Sequence, residues 1–270
     1  MIRNRNIDIL SEEGIIKYLL PQPVKETMAS LTVLSETEST NTILKKMAAE
    51  GAAEGTIVIA DRQTGGRGRM GRSFFSPEGT GIYMSILLRP IDMKPSDAVK
   101  ITTMAAVAAC DAVEAVCGKN AMIKWVNDVF IDGRKTMGIL TEASFGGRNN
   151  VEYAVLGIGM NAYMPEGGFP DEIKDIAGAV FDEKTEDGRN RLAAEFINRF
   201  FEYYKKPEKS DYVEKYRKKS LAIGRTVRVL SPEGEKTAYA MDVDEECHLI
   251  VKYPAGNTEK LSSGEISIRF

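Results

Sequence analysis

Four arginines and four glycines fall between Arg62 and Arg72, inside a run from Asp61 to Pro77 that reads DRQTGGRGRMGRSFFSP. Glycine lets the backbone take left-handed angles and approach a ligand closely, and the forked donors of Arg67, Arg69 and Arg72 match phosphate or carboxylate oxygens two at a time. The chemistry outlined is the binding of an anion. Gly66, Gly68 and Gly71 also satisfy G-x-G-x-x-G, but a dinucleotide turn must open a helix, and here Ser73-Phe74-Phe75-Ser76-Pro77 follows, with a proline that stops one. No lysine follows in the spacing of a phosphate-binding P-loop. The plain alternative is a flexible basic surface loop or an RGG-like nucleic-acid tract. One short run beside an apolar strand is unlike the repeated arrays of such tracts.

Other residues able to do chemistry lie further along. Lys124-Trp125 is followed by Asn127-Asp128, a polar pair between apolar neighbours that needs partners if buried. Asp128 reads either as a strand-edge or turn carboxylate or, near a phosphate site, as an oxygen ligand for Mg²⁺. Ser39-Thr40-Asn41 precedes a helical stretch, and helix capping explains Ser39 and Thr40 without any ligand. Gly157 and Gly159 alternate ahead of Asn161 and permit close backbone approach. His248, the sole histidine, falls near the C-terminus, so a Ser–His or Cys–His pair is not expected. Cys110, Cys117 and Cys247 are odd in number and lack metal-ligand spacing, which suggests reduced thiols and a cytoplasmic protein.

The elements that must position these groups follow from the apolar pattern. Strands over 56–60 and 82–88 anchor the arginine loop at both ends. A short strand is expected at 33–35, and a helix over 42–50 with one apolar face is closed by Gly51. Residues 95–117, ahead of Gly118, have the alanine content and spacing of a long packed helix. Asp132-Gly133 between the apolar runs 123–131 and 134–140 is a hairpin signal, and 146–150 reads as a second hairpin turn feeding a strand over 152–160. Surface loops with one short helix are expected at 165–190, then helices over 190–205 and 211–218. From Leu221 the texture changes to short strands at 226–230, 236–243, 248–253 and 266–269. That suggests a barrel of about 50 residues, near the lower practical limit for an independent core and leaning on the larger part. Before all of this, 1–30 reads as a short lead whose Ser11-Glu12-Glu13 caps a helical turn over 15–20.

The chain has 270 residues, 43% hydrophobic and 28% charged, with a formal net charge of −3 and a pI of about 5.5. A basic cluster in an acidic whole argues for a local anion site over a general nucleic-acid surface. No signal-peptide core and no apolar run of membrane-spanning length is present.

In order and spacing, Ser39-Thr40-Asn41, Gln63 with GRGRMGR, Lys124-Trp125 with Asn127-Asp128, Lys135 with Gly138, and Gly157-Ile158-Gly159-Met160-Asn161 resemble the catalytic domain of biotin protein ligases, the biotin–[acetyl-CoA carboxylase] ligases. The resemblance runs from about Val33 to Phe270 and includes the Ser-Gly-Glu-Ile-Ser-Ile ending at 263–268. It implies an α+β fold with a mixed, largely antiparallel central sheet and flanking helices, of the class II synthetase-like kind, plus a small C-terminal SH3-like barrel. Domains are then expected at 31–220 for biotin and ATP and at 221–270 for the barrel, with 1–30 as a lead or linker.

The resemblance further implies that biotin is activated by ATP to biotinyl-5′-AMP and passed to a lysine of a biotin carboxyl carrier protein. Ser39, Thr40, Asn41 and Gln63 would hold the biotin head group, with Gly138, Gly157 and Gly159 beside it. Arg67, Gly68 and Arg69 would cover the adenylate, and Lys135 would bridge biotin's carboxylate and the α-phosphate. Arg69, Arg72, Phe74, Lys124, Trp125, Asn127 and Asn161 would face the nucleotide, and Asp128 would hold Mg²⁺. Val126 stands where the family usually has proline, and Phe74 where it has tryptophan. Regulatory members carry a winged helix–turn–helix ahead of the ligase domain, and here only IDILSEEGIIKYLL occupies that place, so no DNA partner and no repressor role is expected. No membrane partner is expected either, and edge strands on the sheet leave room for a homodimer. Lipoate or octanoate ligases and transferases share the fold but lack the GRGRxGR loop. A biotin-responsive repressor is the competing non-enzyme reading.

Overall fold

The apolar runs on either side of the arginine loop become neighbouring antiparallel strands in the computed structural model, which describes residues 8–91, 93–146, 150–206, 211–231, 234–262 and 264–268. The lead comes first. Ser11 accepts from the Gly14 N–H and so starts α1 (Glu12–Ile16) three residues before the expected turn, and α2 (Val24–Thr27) follows Pro23. Leu10, Ile15, Leu19 and Val24 are buried in the main core, so the described part of the lead is built into the molecule.

Strand β1 (Ser30–Thr37) runs parallel to β2 (Thr56–Gln63), with α3 (Thr40–Ala49) as the crossover between them. The loop leaves β2 and re-enters the sheet at β3 (Gly81–Leu88), which is buried along its whole length. A single 3₁₀ turn at Pro95–Asp97 leads into α4 (Ala98–Cys117), which ends at Gly118 with φ 67°. The run expected as one strand over 123–131 is two, β4 (Ala121–Lys124) and β5 (Asp128–Ile131), paired antiparallel with Lys124 opposite Asp128. The chain turns at Trp125–Asn127, where the Trp125–Val126 peptide is cis. Asn127 replaces lost ladder contacts there, since its amide donates to the Ile139 carbonyl at 2.9 Å and its own carbonyl accepts from the Ile139 N–H at 3.0 Å.

Asp132 and Gly133 both take positive φ, 50° and 74°, the geometry an Asp-Gly hairpin requires, and join β5 to β6 (Arg134–Phe145). The second expected hairpin turn falls partly on 147–149, outside the described residues; the Gly146 N–H donates to the Asn150 carbonyl ahead of β7 (Val151–Asn161). The central sheet therefore has the order β1-β2-β3-β7-β6-β5-β4, mixed at β1–β2 and antiparallel elsewhere. Residues 165–187 form turns and no helix. Helix α5 (Gly188–Lys205) then packs on α4, and α6 (Tyr212–Lys219) follows.

The C-terminal part is a five-stranded antiparallel sheet of SH3-like type in the order β11-β10-β9-β8-β12. Its strands are β8 (Thr226–Ser231), β9 (Gly234–Val243), β10 (Leu249–Lys252), β11 (Thr258–Leu261) and β12 (Glu265–Ile268). β11 was not expected, because TEKL has one apolar residue and only Leu261 is buried. This sheet is tied to the larger one through the β4–β5 turn. Trp125 Nε1 donates to the Cys247 carbonyl at 3.1 Å, the Tyr216 hydroxyl donates to the Val126 carbonyl, and the Leu221 N–H donates to the Ile123 carbonyl. His248 sits beside β10 with Nδ1 3.3 Å from Asp244 Oδ2, and it lines neither of the cavities described below.

Candidate functional site

Gly138 of β6 stands opposite Gly159 of β7, and the two missing side chains make room for the Phe74 ring. A Cβ at Gly159 would lie 2.4 Å from that ring and one at Gly138 3.2 Å from it, so larger residues would displace Phe74. The ring meets Tyr83 edge-on at a centroid distance of 6.4 Å. Two adjoining cavities result, and Arg67, Phe74, Gly138 and Leu140 line both.

Apart from the shared Arg67, the first cavity has uncharged walls, polar on one side and apolar at Met84, Leu140 and Ile158. Ser39, Thr40 and Asn41, all buried, come from the start of α3, Gln63 from the end of β2, and Gly157 to Gly159 from β7. Ser39 makes no cap bond to the helix it precedes, so capping does not account for it. Gln63 Oε1 accepts from the Thr40 N–H at 2.9 Å and faces the Thr40 hydroxyl at 3.2 Å, while its Nε2 donates to Ser76. Ser85 Oγ lies 2.8 Å from Thr40 Oγ1 and 2.6 Å from Asn41 Oδ1. These three hydroxyl contacts share only two hydroxyl protons, so the network is coupled to whatever enters the cavity. A Cβ at Gly157 would stand 2.2 Å from Asn41 Oδ1, which explains glycine in mid-strand.

The second cavity has cationic walls. Arg67, Arg69 and Arg72 of the loop face Lys124 and Lys135 across it, with Trp125, Asn127 and Asp128 beside them and Ile266 of β12 closing one side. The loop is folded on itself: the Gly68 N–H donates to the Arg72 carbonyl at 2.7 Å, and the Phe74 N–H donates to the Gly66 carbonyl at 2.9 Å. Its tip is fastened by Arg69, which donates to Asn127 Oδ1 at 2.9 Å and to the Gly264 carbonyl at 2.8 Å. Met70 at the tip adopts φ 55° and is 73% exposed. Lys135 Nζ lies 2.7 Å from Asp128 Oδ1, across the β5–β6 hairpin. That contact lacks hydrogen-bond alignment, and Asp128 Oδ1 is buried with no other partner.

Every residue expected to face the nucleotide lines this second cavity except Asn161, whose amide donates to the Gly178 carbonyl at 3.2 Å and which lines neither cavity. Sequence reasoning missed Ser85 and Glu142. Ser85 is the one small polar residue in the apolar strand IYMSILL, a signal that it needs a buried partner. Glu142 lies on the same face of β6 as Gly138 and Leu140 by the two-residue strand period. Its Oε1 is 2.7 Å from Lys45 Nζ and 3.6 Å from Arg67 Nη1, and its Oε2 accepts from Asn41 Nδ2 at 3.0 Å. Burial pushes the Glu142 carboxyl up, but the bonds from Lys45 and Asn41 and the charge of Arg67 outweigh it and hold the group below the usual carboxylate range.

Among the described residues no three His, Cys, Asp or Glu side chains gather to hold a metal ion. A lone carboxylate with an unbonded buried oxygen, as at Asp128, fits a cation that arrives with phosphate oxygens as its other ligands.

Residues 33–161 match the Biotin/lipoate A/B protein ligase family and residues 222–269 match the Biotin protein ligase C terminal domain. The bifunctional ligase/repressor BirA of Bacillus spizizenii is 34% identical over 96% of this chain and 79% of its own length. The biotin–[acetyl-CoA-carboxylase] ligase of Mycobacterium tuberculosis is 31% identical over 87% of this chain and 88% of its own. Among solved structures, the biotin protein ligase from Aquifex aeolicus in complex with biotin and ATP superposes with a TM-score of 0.75 at 29% identity, covering 90% of this chain and 99% of that one.

Proposed function

The chain belongs to the biotin protein ligase family, and from that premise we propose how its two cavities divide the reaction. The protein is an ATP-dependent biotin–[acetyl-CoA-carboxylase] ligase with biotin and ATP as substrates and a biotin carboxyl carrier protein as acceptor. The observation that carries the division of labour is the shared wall: a neutral polar cavity and a cationic cavity meet at Arg67, Phe74, Gly138 and Leu140.

In this reading the uncharged head group of biotin occupies the first cavity, held by Ser39, Thr40, Asn41 and Gln63 against Gly157 and Gly159. Its carboxylate then reaches the junction, where Lys135 and Arg67 stand. ATP fills the second cavity over Trp125, Asn127 and Phe74, with its phosphates toward Arg69, Arg72 and Lys124. Asn161 acts by holding the Gly178 backbone. A biotin carboxylate oxygen attacks the α-phosphorus, the bond to the bridging oxygen breaks, and pyrophosphate leaves with the electron pair. Two anions must meet for this step, so cations fixed in advance lower the barrier most. Lys135 is assigned the place between carboxylate and α-phosphate. Mg²⁺, held by Asp128 together with the nucleotide, would neutralise phosphate charge. In the second step the ε-amine of the carrier lysine attacks the biotinyl carbonyl, AMP leaves, and the amine gives up a proton. The folded loop keeps water from the mixed anhydride in between.

We assign 31–220 to the catalytic domain, 221–270 to the C-terminal domain and 1–30 to the lead. A cytoplasmic site of action fits the three free cysteines, and no helix among the described residues is long and apolar enough to cross a membrane. Action without DNA binding fits the acidic net charge, and pairing of two copies fits the outer position of β1 in the sheet.

The test of the division is Lys135→Ala. Adenylation should fall by at least about 100-fold, as when a fixed transition-state donor is removed, while calorimetry finds biotin affinity within about threefold of the parent. Unchanged turnover would remove Lys135 from the reaction.

A further inference from the structure

Glu142 bonds Asn41 in the wall of the neutral cavity and also pairs with Arg67 of the loop, and its half-buried ion pair with Lys45 would not by itself explain that placement. The Asn41 amide has chemically opposite ends. An ionised carboxylate only accepts hydrogen bonds, so Glu142 forces Asn41 Nδ2 to its side, where the Leu140 carbonyl takes a second, longer contact of 3.4 Å. Oδ1 is thereby turned toward Ser85, whose single proton it shares with Thr40 and whose Oγ lies 2.6 Å away. Ser85 Oγ also donates to Thr40 Oγ1 at 2.8 Å, and the Thr40 hydroxyl in turn donates to Gln63 Oε1 at 3.2 Å. Glu142, with the weaker help of the Leu140 carbonyl, therefore orients the Asn41 end of the donor and acceptor pattern in the cavity, through a chain of buried and half-buried contacts.

We propose that Glu142 is a positioning residue for ligand recognition, acting through Asn41 to set the hydrogen-bonding polarity of the neutral cavity. The proposal rests on the reading of that cavity as the biotin head-group pocket. A cyclic urea presents one acceptor flanked by two donors, so a pocket whose polarity is reversed at one amide would reject it. A purely structural role for Glu142 would instead lower stability and leave the affinity of the folded protein alone.

The experiment is a double-mutant cycle on biotin affinity, measured by calorimetry with folded, full-length protein. Glu142→Gln keeps the shape but no longer forces the Asn41 amide, and should weaken biotin by about tenfold, the loss expected for one charge-assisted hydrogen bond. The pyrophosphate exchange rate at saturating biotin should stay within about threefold of the parent, since the group does not touch the reacting atoms. Asn41→Ala should weaken biotin at least as much, and the double variant should be no more than about threefold weaker than Asn41→Ala alone, because both changes break one chain. Lys45→Met removes the ion pair and spares the carboxylate, and should leave affinity within about twofold. Should Glu142→Gln fail to fold, Glu142→Asp, which withdraws the carboxylate from Asn41, must show the same direction. Losses in the double variant that multiply, or a Glu142→Gln affinity equal to the parent's, would overturn the proposal. Normal biotin binding by Asn41→Ala would instead sink the pocket reading beneath it.

Discussion

Arg69 joins three parts of the chain, because its guanidinium leaves the loop to bond Asn127 in the β4–β5 turn and the backbone at Gly264. The arginine was legible as an anion ligand from its glycine-rich setting. Its partners were not, since they stand 58 and 195 residues away and nothing local marks them. Asn127 needed a partner as a polar residue in an apolar run, and only the fold says which. Arg69→Ala should leave the fold intact, as the loop contributes nothing to the core, but should release biotinyl-adenylate about tenfold faster, the loss of one charge-assisted bond. Gel filtration of the preformed intermediate would measure this. Failure of the variant to fold, or unaltered retention, would contradict the loop's role as a cover.

At the scale of elements, the strong periodic segments were readable: the two strands beside the loop, the long α4, and the Asp-Gly hairpin all lie where the apolar pattern puts them. What could not be read was the break of one apolar run into β4 and β5, which depends on Asn127 finding Ile139 across the sheet. The seam between α5 and the sheet was equally silent. There Glu54, ahead of β2, accepts from the Tyr204 hydroxyl at 2.7 Å and from Lys205 at 2.9 Å. Burial pushes the Glu54 carboxyl up, but these bonds and one from the Arg89 N–H prevail and hold it below its ordinary value. A carboxyl lowered on folding adds stability above its unfolded pKa of about 4.3 and loses it as pH falls through the lower folded value. Glu54→Gln should therefore cost about 1 kcal/mol at neutral pH. Urea titrations should find that gap closing below about pH 4, where the parent carboxyl also protonates. A gap that persists at acid pH would show that shape, not charge, holds this seam.

For the whole molecule, the lead and the loop meet at one buried arginine. Arg189 at the start of α5 donates from its Nε and backbone N–H to Asp8 at 3.3 and 3.2 Å and pairs with Asp61, whose Oδ1 also accepts from the Gly79 N–H at the far end of the loop. Both Arg189 and Asp8 side chains are almost wholly buried, at 4% and 2% exposure. Composition and periodicity gave the lead no such anchor, because a single charge reads as surface until the fold encloses it. Arg189→Met strands a buried carboxylate and should cost about 3–5 kcal/mol of unfolding free energy. A loss under about 1 kcal/mol in urea unfolding would mean that solvent reaches the pair.

The most direct test of the two-cavity account is biotin-dependent exchange of labelled pyrophosphate into ATP with Mg²⁺, repeated with lipoate and octanoate in place of biotin. Exchange is expected with biotin alone, since Ser39, Thr40, Asn41 and Gln63 offer a urea head group hydrogen-bond partners that an alkyl chain would leave unpaired. Exchange supported equally by lipoate or octanoate would contradict it.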